Sequence, residues 1–327
     1  MMKCLVTGGA GFIGSHLTDI LVGKGYEVTV LDDLSIGSLE NLSNLLEKGL
    51  INFVRGDILD DKILEEIIPT VDVVYHLAAL VGVKHVVDNP ARGIYVNYSG
   101  TEKVMRTCLT HNKRMVFTSS SEVYGKSPGQ FFKESGDMIL GNSSVPRWSY
   151  AVSKALGEHL AMSLKKSGLE VTVVRYFNAY GPKSKPDGYG SVVAKFIMQA
   201  LEEKPITIFG NGTQIRSFTF VRDTARGTML AGESKRSIGK LYNLGSNSKI
   251  QIVDLAKAIK RLTSSKSPIT FIKPEDIYGT NFEDIPSRSA DVSLAKDELC
   301  FEGEIGFEEG LKKTIDWFKS VPLKRLL

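Results

Sequence analysis

The stretch that decides the fold is Thr7-Gly8-Gly9-Ala10-Gly11-Phe12-Ile13-Gly14, between a predicted first strand, Lys3–Thr7, and a predicted first helix, Ile13–Gly23. Glycines at positions 8, 11 and 14 allow a tight turn, a close approach of the backbone to a pyrophosphate and close packing of helix on strand. The positive end of the helix adds to the attraction for phosphate. Glycine also serves ordinary turns, so it is the position between strand and helix that predicts a dinucleotide site, with Phe12 and Ile13 beside the ligand.

An acidic pair follows at the end of the second predicted strand. Asp32 lies 18 residues beyond Gly14 and is followed by Asp33. An acidic side chain at this place binds the ribose hydroxyls of adenosine, and no arginine stands beside it to receive a 2′-phosphate. The spacing therefore favours NAD over NADP. Asp33 can share this role, and the alternative interpretation makes Asp32 a turn residue.

Short β-branched runs alternate with helical patterns along the N-terminal half, which is typical of βαβ units and a parallel sheet. The predicted strands are Lys3–Thr7, Glu27–Asp32, Ile51–Arg55, Val71–Leu77, Arg114–Ser119 and Thr172–Tyr176. The predicted helices are Ile13–Gly23, Leu59–Ile68, Ala91–Asn112 and Ser149–Ser167. The fold class expected is α/β, a Rossmann doubly wound parallel sheet of six or seven strands.

The pattern changes after Asn178. Loops rich in Gly, Pro, Lys and Ser appear around Gly181–Gly190, Gly210–Gln214 and Lys273–Arg288. We therefore expect an NAD-binding domain at 1–178, with part of 218–245 interleaved, and a smaller C-terminal α/β substrate-binding lobe at 179–327 that lies over the carboxyl edge of the sheet.

Composition excludes several classes of protein. The 327 residues are 42% hydrophobic and 24% charged, which is ordinary globular composition. The net charge of +4 comes with no basic run that indicates nucleic acid. Three scattered cysteines and five histidines show no disulfide or metal-ligand spacing. No apolar stretch reaches the roughly 18 residues of a membrane span, and the first residues leave no room for a signal peptide, so we expect a cytoplasmic protein with no membrane contact.

Two further strand ends carry cofactor candidates. Asp57, followed by Ile58, closes the third strand and is placed to reach the adenine amino group; the compatible alternative is a helix N-cap before Leu59. Leu77, Ala78 and Ala79 close the fourth strand, where small residues suit a backbone that passes beneath a cofactor. The preceding His76 is interpreted as a packed strand histidine.

The chemistry is predicted from Tyr150-Ala151-Val152-Ser153-Lys154. A Tyr and a Lys at i and i+4 share one helix face, so the ammonium can favour the phenolate and make a base. Such a pair is also common on surfaces. Its weight comes from Ser119-Ser120-Ser121-Glu122 at a strand end, where a hydroxyl can hold a substrate oxygen while Tyr150 removes its proton. A plain serine-rich turn would explain the hydroxyls, but it would not explain why they occur together with the Tyr150 and Lys154 pair.

Together the glycine turn, acidic strand end, serine strand end and Tyr-x-x-x-Lys resemble the extended short-chain dehydrogenase/reductase family. The resemblance covers nearly the whole chain. It includes the following stretches: Arg175–Pro182, Phe209–Phe218, Val221–Asp223, Phe307–Leu311 and Thr314–Trp317. It implies an enzyme that oxidises carbon 4 of a nucleotide-sugar, UDP-linked in the closest motifs, on tightly held NAD and then returns the hydride.

The resemblance also implies residue roles. Tyr150 would be the base, Lys154 would bind the nicotinamide ribose, and Ser120 would hold the oxygen at carbon 4. The nucleotide diphosphate would meet Asn178 and Arg216, with Arg288 and Lys195 as further candidates. The alternatives are a surface salt bridge for either arginine and a solvated lysine for Lys195.

An oligomeric state follows from the same resemblance. The helices near Ala91–Asn112 and Ser149–Ser167 would form a homodimer by packing into a four-helix bundle. The apolar faces of these helices are equally satisfied by burial against their own sheet.

Ser121-Glu122 bears on which reaction follows the oxidation. Dehydratases of the dTDP-glucose type carry an acidic residue where Ser121 stands, those of the GDP-mannose type can carry Ser-Glu, and many 4-epimerases have no carboxylate at position 122. UDP-glucuronate decarboxylases resemble the chain better, through Ser-Glu-Val-Tyr-Gly and Pro146-Arg147-Trp148.

In such a decarboxylase, Glu122 and Arg216 would lie near the reacting carboxylate. However, the stretch 80–84 departs from the loop usual in those decarboxylases. A UDP-sugar 4-epimerase acting on UDP-glucose, UDP-N-acetylglucosamine or UDP-glucuronate stays open, as do a 4,6-dehydratase and an NAD-binding regulator without turnover. The intact Ser120, Tyr150 and Lys154 argue against the regulator.

Overall fold

The structure is a computed structural model that describes residues 1–81, 89–129, 131–186, 191–273, 285 and 287–321. Parts of three predicted loops, at 82–84, 187–190, and 274–284 with 286, lie outside the described residues.

Fourteen strands are assigned among the described residues: β1 Lys3–Thr7, β2 Glu27–Asp32, β3 Ile51–Arg55, β4 Val73–His76, β5 Arg114–Ser120, β6 Val171–Tyr176, β7 Ala179–Tyr180, β8 Ile206–Phe209, β9 Ile215–Arg216, β10 Thr219–Phe220, β11 Leu241–Leu244, β12 Ile250–Gln251, β13 Ile269–Ile272 and β14 Ser287–Arg288. The α-helices are Phe12–Gly23, Ser43–Glu47, Asp61–Ile67, Pro90–Ile94, Thr101–Thr110, Trp148–Lys165, Val192–Leu201, Val221–Glu233, Ile252–Thr263, Ser293–Leu299 and Phe307–Ser320. Short 3-10 turns cover Leu39–Leu42, Ile68–Thr70, Ser121–Tyr124 and Lys235–Ser237, and a π-helical turn covers Tyr95–Gly100.

The main sheet has seven strands in the order β11-β6-β5-β4-β1-β2-β3. Every neighbouring pair in it is parallel. This confirms the predicted Rossmann sheet. Because all strands run the same way, their carboxyl ends meet at one edge, which brings the residues that follow Thr7, Asp32, His76 and Ser120 together.

Helices cover both faces of the sheet, as the doubly wound prediction requires. On one face, Leu17 and Leu21 of the helix Phe12–Gly23 pack into a core with Ala225 and Met229 of Val221–Glu233. On the other face, Val104, Met105 and Cys108 of Thr101–Thr110 pack with Ala161 of Trp148–Lys165. Both strands at the centre of this packing are buried: all of β4 is buried, as are residues 115–119 of β5.

Most predicted elements agree with the structure to within two residues, but one differs in kind. The predicted helix Ala91–Asn112 contains the π-helical turn Tyr95–Gly100 between its two α-helical parts. The third helix begins at Asp61 because Asp60 caps it, its side chain accepting from the backbone N–H of Lys62. The prediction of Asp57 as that helix's N-cap is therefore wrong: Asp57 instead accepts from Leu59 N at 2.9 Å in the preceding turn.

A second core lies in the C-terminal part of the chain. It is built from the helices Val192–Leu201, Ile252–Thr263 and Phe307–Ser320 around the parallel pair β8 and β13. A separate small sheet, in the order β12-β9-β14, places Arg216 beside Arg288 in register. The chain also returns to the first sheet through β11, which pairs with β6. Within the described residues no helix is long and apolar enough to cross a membrane.

A buried ion pair joins the helix Trp148–Lys165 to the sheet. Arg175 on β6 donates to both carboxylate oxygens of Glu158, at 2.9 and 2.6 Å, and the two side chains are only 3% and 4% exposed. The guanidinium also lies 4.5 Å from the ring centroid of Tyr124. Burial alone would lower the pKa of Arg175, but the Glu158 carboxylate outweighs it and raises that pKa. The pair therefore fixes the helix that carries Tyr150.

Glu158→Gln should destabilise the fold by about 3 to 5 kcal/mol, because it leaves the guanidinium of Arg175 buried without a compensating charge. The matched control is Glu102→Gln, which breaks the exposed pair with Arg106 and should cost below about 0.5 kcal/mol. Urea unfolding at neutral pH measures both. Equal losses in the two variants would contradict the role assigned to the buried pair.

Candidate active site

A cleft of about 730 Å³ opens at the carboxyl edge of the main sheet. It brings together most of the predicted site residues, which are here listed as its lining: Gly8, Gly11, Phe12, Ile13, Gly14, Asp32, Asp33, Asp57, Ile58, Leu77, Ala78, Ala79, Ser120, Ser121, Glu122, Tyr150, Lys154, Asn178 and Arg288. Of the predicted set, Lys195 and Arg216 are absent from this lining.

The glycine turn makes a cradle that side chains would fill. Gly8 has φ +71°, and a Cβ there would lie 2.7 Å from the backbone N of Ala78. A Cβ at Gly14 would lie 2.1 Å from the carbonyl oxygen of Gly8. The helix Phe12–Gly23 has Gly11 as its N-cap, so no capping side chain competes for its first N–H groups. These residues fit the pyrophosphate of a dinucleotide.

The two acidic residues at the end of β2 accept hydrogen bonds in the turns around them and also line the cleft. Asp32 is 7% exposed and accepts from Ala10 N at 3.0 Å and Leu34 N at 2.9 Å. Burial raises its pKa, and these two N–H groups oppose the rise. Asp33 accepts from the backbone N–H and the hydroxyl of Ser35. Asp32 is thus a turn residue and a wall of the cleft together.

Ser120, Tyr150 and Lys154 meet at the middle of the cleft. The hydroxyl of Ser120 is hydrogen-bonded to the phenol of Tyr150. Lys154 is 2% exposed, and its Nζ donates to Thr118 O at 2.8 Å. Burial lowers the pKa of Lys154 to about 7, while Glu158 opposes this. A substrate hydroxyl near Tyr150 would therefore face the hydroxyl of Ser120 and the phenol, while Lys154 lies in the same cleft with its ammonium on Thr118 O.

The pKa of Tyr150 differs from the sequence-based prediction. Burial raises it, Glu122 raises it further, and Ser120 and Arg288 oppose the rise. The prediction that Lys154 lowers this pKa is not met here, because the ammonium is turned towards the carbonyl of Thr118. The charged form of Tyr150 needs additional positive charge close to the phenol.

Glu122 lies between two arginines in the same part of the cleft. Its Oε1 accepts from Arg288 Nη1 at 2.5 Å and its Oε2 from Arg147 Nη2 at 3.3 Å. Burial would raise the pKa of Glu122, but the guanidiniums of Arg288 and Arg147 outweigh it and lower the pKa. The cluster of Glu122, Arg147 and Arg288 carries one net positive charge, and Glu122 is an acceptor rather than an acid near neutral pH.

The remaining substrate candidates are divided. Asn178 lines the cleft. Arg288 is 6% exposed in a cleft ion pair, so the alternative of a surface salt bridge is wrong for it. Arg216 donates to its neighbour's carbonyl, Ile215 O, at 2.9 Å. Lys195 is half-buried, with its Nζ 4.4 Å from the ring centroid of Phe209.

Sequence reasoning missed Arg147 and two lysines as site residues. Arg147 lies within Pro146-Arg147-Trp148, and an arginine just before the tyrosine helix is a usable signal for it. Lys183 and Lys185 also line the cleft and donate to Asn41 O and Ile36 O, each at 2.8 Å. No pattern in the sequence indicates these long-range contacts. Among the residues the structure describes, no His, Cys, Asp and Glu cluster is able to hold a metal.

Comparison with known proteins decides the family. Residues 4–245 match the NAD dependent epimerase/dehydratase family. The chain belongs to that family. Its cofactor is NAD, which the glycine cradle and Asp32 fit.

Three relatives illustrate the range of activities. A UDP-N-acetyl-alpha-D-glucosaminuronate decarboxylase of Bacillus cytotoxicus is 40% identical over 98% of both chains. UDP-glucuronic acid decarboxylase 1 of Arabidopsis thaliana is 34% identical over 98% of this chain and 70% of its own length. The crystal structure of a UDP-glucuronic acid 4-epimerase from Bacillus cereus, in complex with UDP-glucuronic acid and NAD, has a TM-score of 0.86 at 32% identity, over 98% of this chain and 99% of that one.

Gly14→Ala should lower both NAD retention and stability, because the added Cβ meets backbone that cannot move aside, at a cost of about 1 to 3 kcal/mol. Gly23→Ala is the matched control at the other end of the same helix, where a Cβ meets nothing within 4 Å. It should leave NAD content unchanged and stability unchanged or higher by up to about 1 kcal/mol. NAD content after purification and thermal unfolding measure the pair. Full NAD content in Gly14→Ala would refute the cradle.

Proposed function

We propose that this chain decarboxylates a UDP-linked uronic acid through a transient 4-keto sugar. The observation that carries the proposal is the cluster of Glu122, Arg147 and Arg288 in the cleft, next to Ser120 and Tyr150. An arginine fork binds a carboxylate through two parallel hydrogen bonds.

The roles of the hydroxyl groups follow from their contacts. Tyr150 takes the proton of the hydroxyl at carbon 4, and Ser120, already hydrogen-bonded to the phenol, donates to the same oxygen. NAD, when bound, supplies the acceptor for the hydride from carbon 4 and later its donor. Lys154 lines the cleft from the tyrosine helix and is assigned to the nicotinamide ribose. These residues serve the oxidation whatever step follows.

The carboxylate decides the step that follows. A 4-keto group is β to the carboxylate carried by carbon 5, so carbon dioxide leaves with its electron pair held as an enolate on the oxygen at carbon 4. That oxygen is the one held by Ser120 and Tyr150. Arg288, with Arg147, replaces Arg216 as the group assigned to the reacting carboxylate, because these two contact Glu122 in the cleft. Glu122 keeps both forks oriented, with Ser121 buried beside it.

Dehydration is less well supported by the same geometry. A general acid that protonates a leaving hydroxyl needs a raised pKa, whereas that of Glu122 is lowered by Arg288 and Arg147. The relatives support the decarboxylase, since the decarboxylase of Bacillus cytotoxicus is 40% identical to this chain and the Bacillus cereus epimerase is 32% identical. The second candidate is 4-epimerisation of the same class of uronate, favoured by the likeness to the Bacillus cereus epimerase.

The remaining nucleotide contacts are proposals of the same kind. Asn178 is assigned to the diphosphate because it lines the cleft. Asp57 and Ile58 are assigned to the adenine. Arg216 and Lys195 do not line the cleft. They are therefore proposed to contact only a part of the UDP that extends beyond the cleft.

In the deciding assay, purified protein and NAD are incubated with each of three substrates in turn: UDP-glucuronate, UDP-N-acetylglucosaminuronate and UDP-glucose. We expect one or both uronates to lose carbon dioxide and UDP-glucose to stay unchanged. Mass spectrometry and proton NMR identify the products. An unchanged mass with inverted carbon 4 on a uronate would replace the decarboxylase with the epimerase. Turnover of UDP-glucose alone would refute any uronate specificity.

Arg288→Lys should lower kcat/KM for the uronate about 100-fold, because an ammonium keeps the charge but loses the fork. Arg106→Lys is the control, since the side chain of Arg106 is 61% exposed and pairs with Glu102 on the surface, and its kcat/KM should equal wild type. Equal rates for both variants would remove Arg288 from the carboxylate site.

We propose the division 1–178 for NAD and 179–327 for the nucleotide-sugar, with part of 218–245 completing the first unit. Its support is that β11 lies in the main sheet while the helices Val192–Leu201 and Phe307–Ser320 share a separate core. We also propose a cytoplasmic location, because all three cysteines are free, as in a reducing compartment.

We propose a homodimer through the helices near residues 90–110 and 148–165. Four large apolar side chains on these neighbouring helices are exposed by 43% or more: Ile94, Tyr95, Val152 and Leu156. A cluster of this kind on adjacent helices indicates an interaction surface. A second copy of the same face gives the four-helix bundle.

Leu156→Asp should convert the dimer to a monomer, because the charge would be buried at the centre of the shared face. Leu50→Asp is the control, since Leu50 is 47% exposed in a turn away from these helices and should leave the dimer intact. Size-exclusion chromatography with light scattering reads both. If Leu156→Asp stays dimeric, another face makes the interface.

A further inference from the structure

A buried chain of hydrogen bonds runs beneath the cleft and passes through His76. The backbone N–H of Ala78 donates to Thr7 Oγ1 at 3.2 Å, and Thr7 Oγ1 lies 2.8 Å from His76 Nδ1. On the other side of the ring, His76 Nε2 lies 2.9 Å from Thr101 Oγ1, which donates to Asn97 O at 2.6 Å. All four side chains in this chain are at most 1% exposed.

Proton counting gives this chain one direction. Thr101 has a single hydroxyl proton, and the carbonyl of Asn97 takes it, so His76 Nε2 must donate to Thr101 Oγ1. A neutral imidazole then has an unprotonated Nδ1, which accepts from the hydroxyl of Thr7. Thr7 in turn accepts from Ala78 N. Every donor and acceptor along the chain is used once. The other tautomer would leave at least one of these hydrogen bonds unmade.

The ring has no access to a second proton. Burial, the larger cause, and the ammonium of Lys154 together lower the pKa of His76 to about 3. The imidazole stacks on Phe117 with centroids 6.1 Å apart and planes at 23°. The sequence-based interpretation as a packed strand histidine therefore describes its burial but not its contacts.

Two branches connect the chain to the cleft wall. Asn97, in the π-helical turn, accepts from Leu80 N at 2.7 Å and donates to Leu80 O at 3.0 Å. Thr118 Oγ1 donates to His76 O at 2.9 Å, while Thr118 O accepts from Lys154 Nζ at 2.8 Å. The network thus holds the backbone of Ala78 and Leu80 on one side and Lys154 on the other. Both line the cleft.

We propose that His76 is a positioning residue, locked as the neutral Nε2–H tautomer, which holds the segment Ala78–Leu80 and Lys154 in register for NAD. The proposal rests on the NAD site and not on the choice of sugar or reaction. His76 itself touches neither substrate nor the reacting atoms. Because the network is fully satisfied, removing one hydroxyl leaves a buried donor unpaired and releases the segment it holds.

The tautomer is tested on the wild-type holoenzyme. Long-range proton–nitrogen NMR correlation of histidine-labelled protein should show His76 as Nε2–H, unchanged between pH 5 and pH 9 and absent from the spectrum of His76→Phe. An Nδ1–H tautomer, or protonation within this range, would overturn the proposal. This measurement needs no folded variant beyond the one used for assignment.

The positioning role is tested with Thr101→Val against Thr107→Val. Thr107 lies on the same helix, is 7% exposed and makes an equivalent bond to Lys103 O at 3.0 Å, but has no contact with His76 in the network. Thr101→Val should exchange bound NAD for isotope-labelled NAD about 10-fold faster, as expected for one unmade buried hydrogen bond. Thr107→Val should exchange at the wild-type rate, and Thr101→Ser should restore it.

The two thermal midpoints separate positioning from general stability. The proposal requires faster exchange and a changed His76 signal in Thr101→Val at a midpoint comparable to that of Thr107→Val. Equal exchange rates in Thr101→Val and Thr107→Val would overturn it. Failure of the uronate assay leaves this test unaffected, since NAD exchange needs no sugar.

Discussion

The close approach of the glycine turn to the end of β4 is the constraint on which the rest of the site depends. A Cβ at Gly8 would lie 2.7 Å from Ala78 N, and one at Gly14 would lie 2.1 Å from Gly8 O. Because Gly8 and Gly14 have no side chains, the turn packs closely enough for Thr7 to contact both His76 and Ala78. The turn whose shape fits a pyrophosphate therefore also closes the buried network beneath it.

Ion pairs at the surface and ion pairs in the interior contribute differently to the structure. On the surface, pairs such as Arg106 with Glu102 are well exposed and contribute little. In the interior, Arg175 with Glu158 is compensated one for one, and each partner fixes an element that carries the site. The cleft departs from this balance, because two arginines share one glutamate there.

The sequence predicted the sheet well because its strands are buried runs with clear ends. β1, β2 and β3 have the predicted bounds, and the carboxyl ends of β1, β2, β4 and β5 carry the predicted site residues. Local caps were harder, as Asp57 shows, since Asp57 and Asp60 both offer a carboxylate and only the structure shows which one caps.

Contacts between distant parts of the chain were not predictable. Residues 122 and 288 are 166 positions apart, and no local pattern says that Arg288 rather than Arg216 meets Glu122. The two arginines occupy equivalent places on β14 and β9, adjacent and in register. What separates them is which strand borders the cleft, and that depends on the order β12-β9-β14 of the small sheet. His76 poses the same problem, because its partners Thr7 and Thr101 come from other elements.

The oxidation and its outcome have separate structural bases in this cleft. Ser120, Tyr150 and Lys154 come from β5 and from the helix Trp148–Lys165, both of which belong to the main sheet unit. Arg288 comes from the small sheet of β12, β9 and β14, and it lies in the cleft bound to Glu122. Under the proposed roles, a change in that small sheet can therefore alter the fate of the 4-keto sugar while the groups assigned to the oxidation stay intact. This separation gives a physical reason why one fold serves both the decarboxylases and the epimerases that resemble this chain.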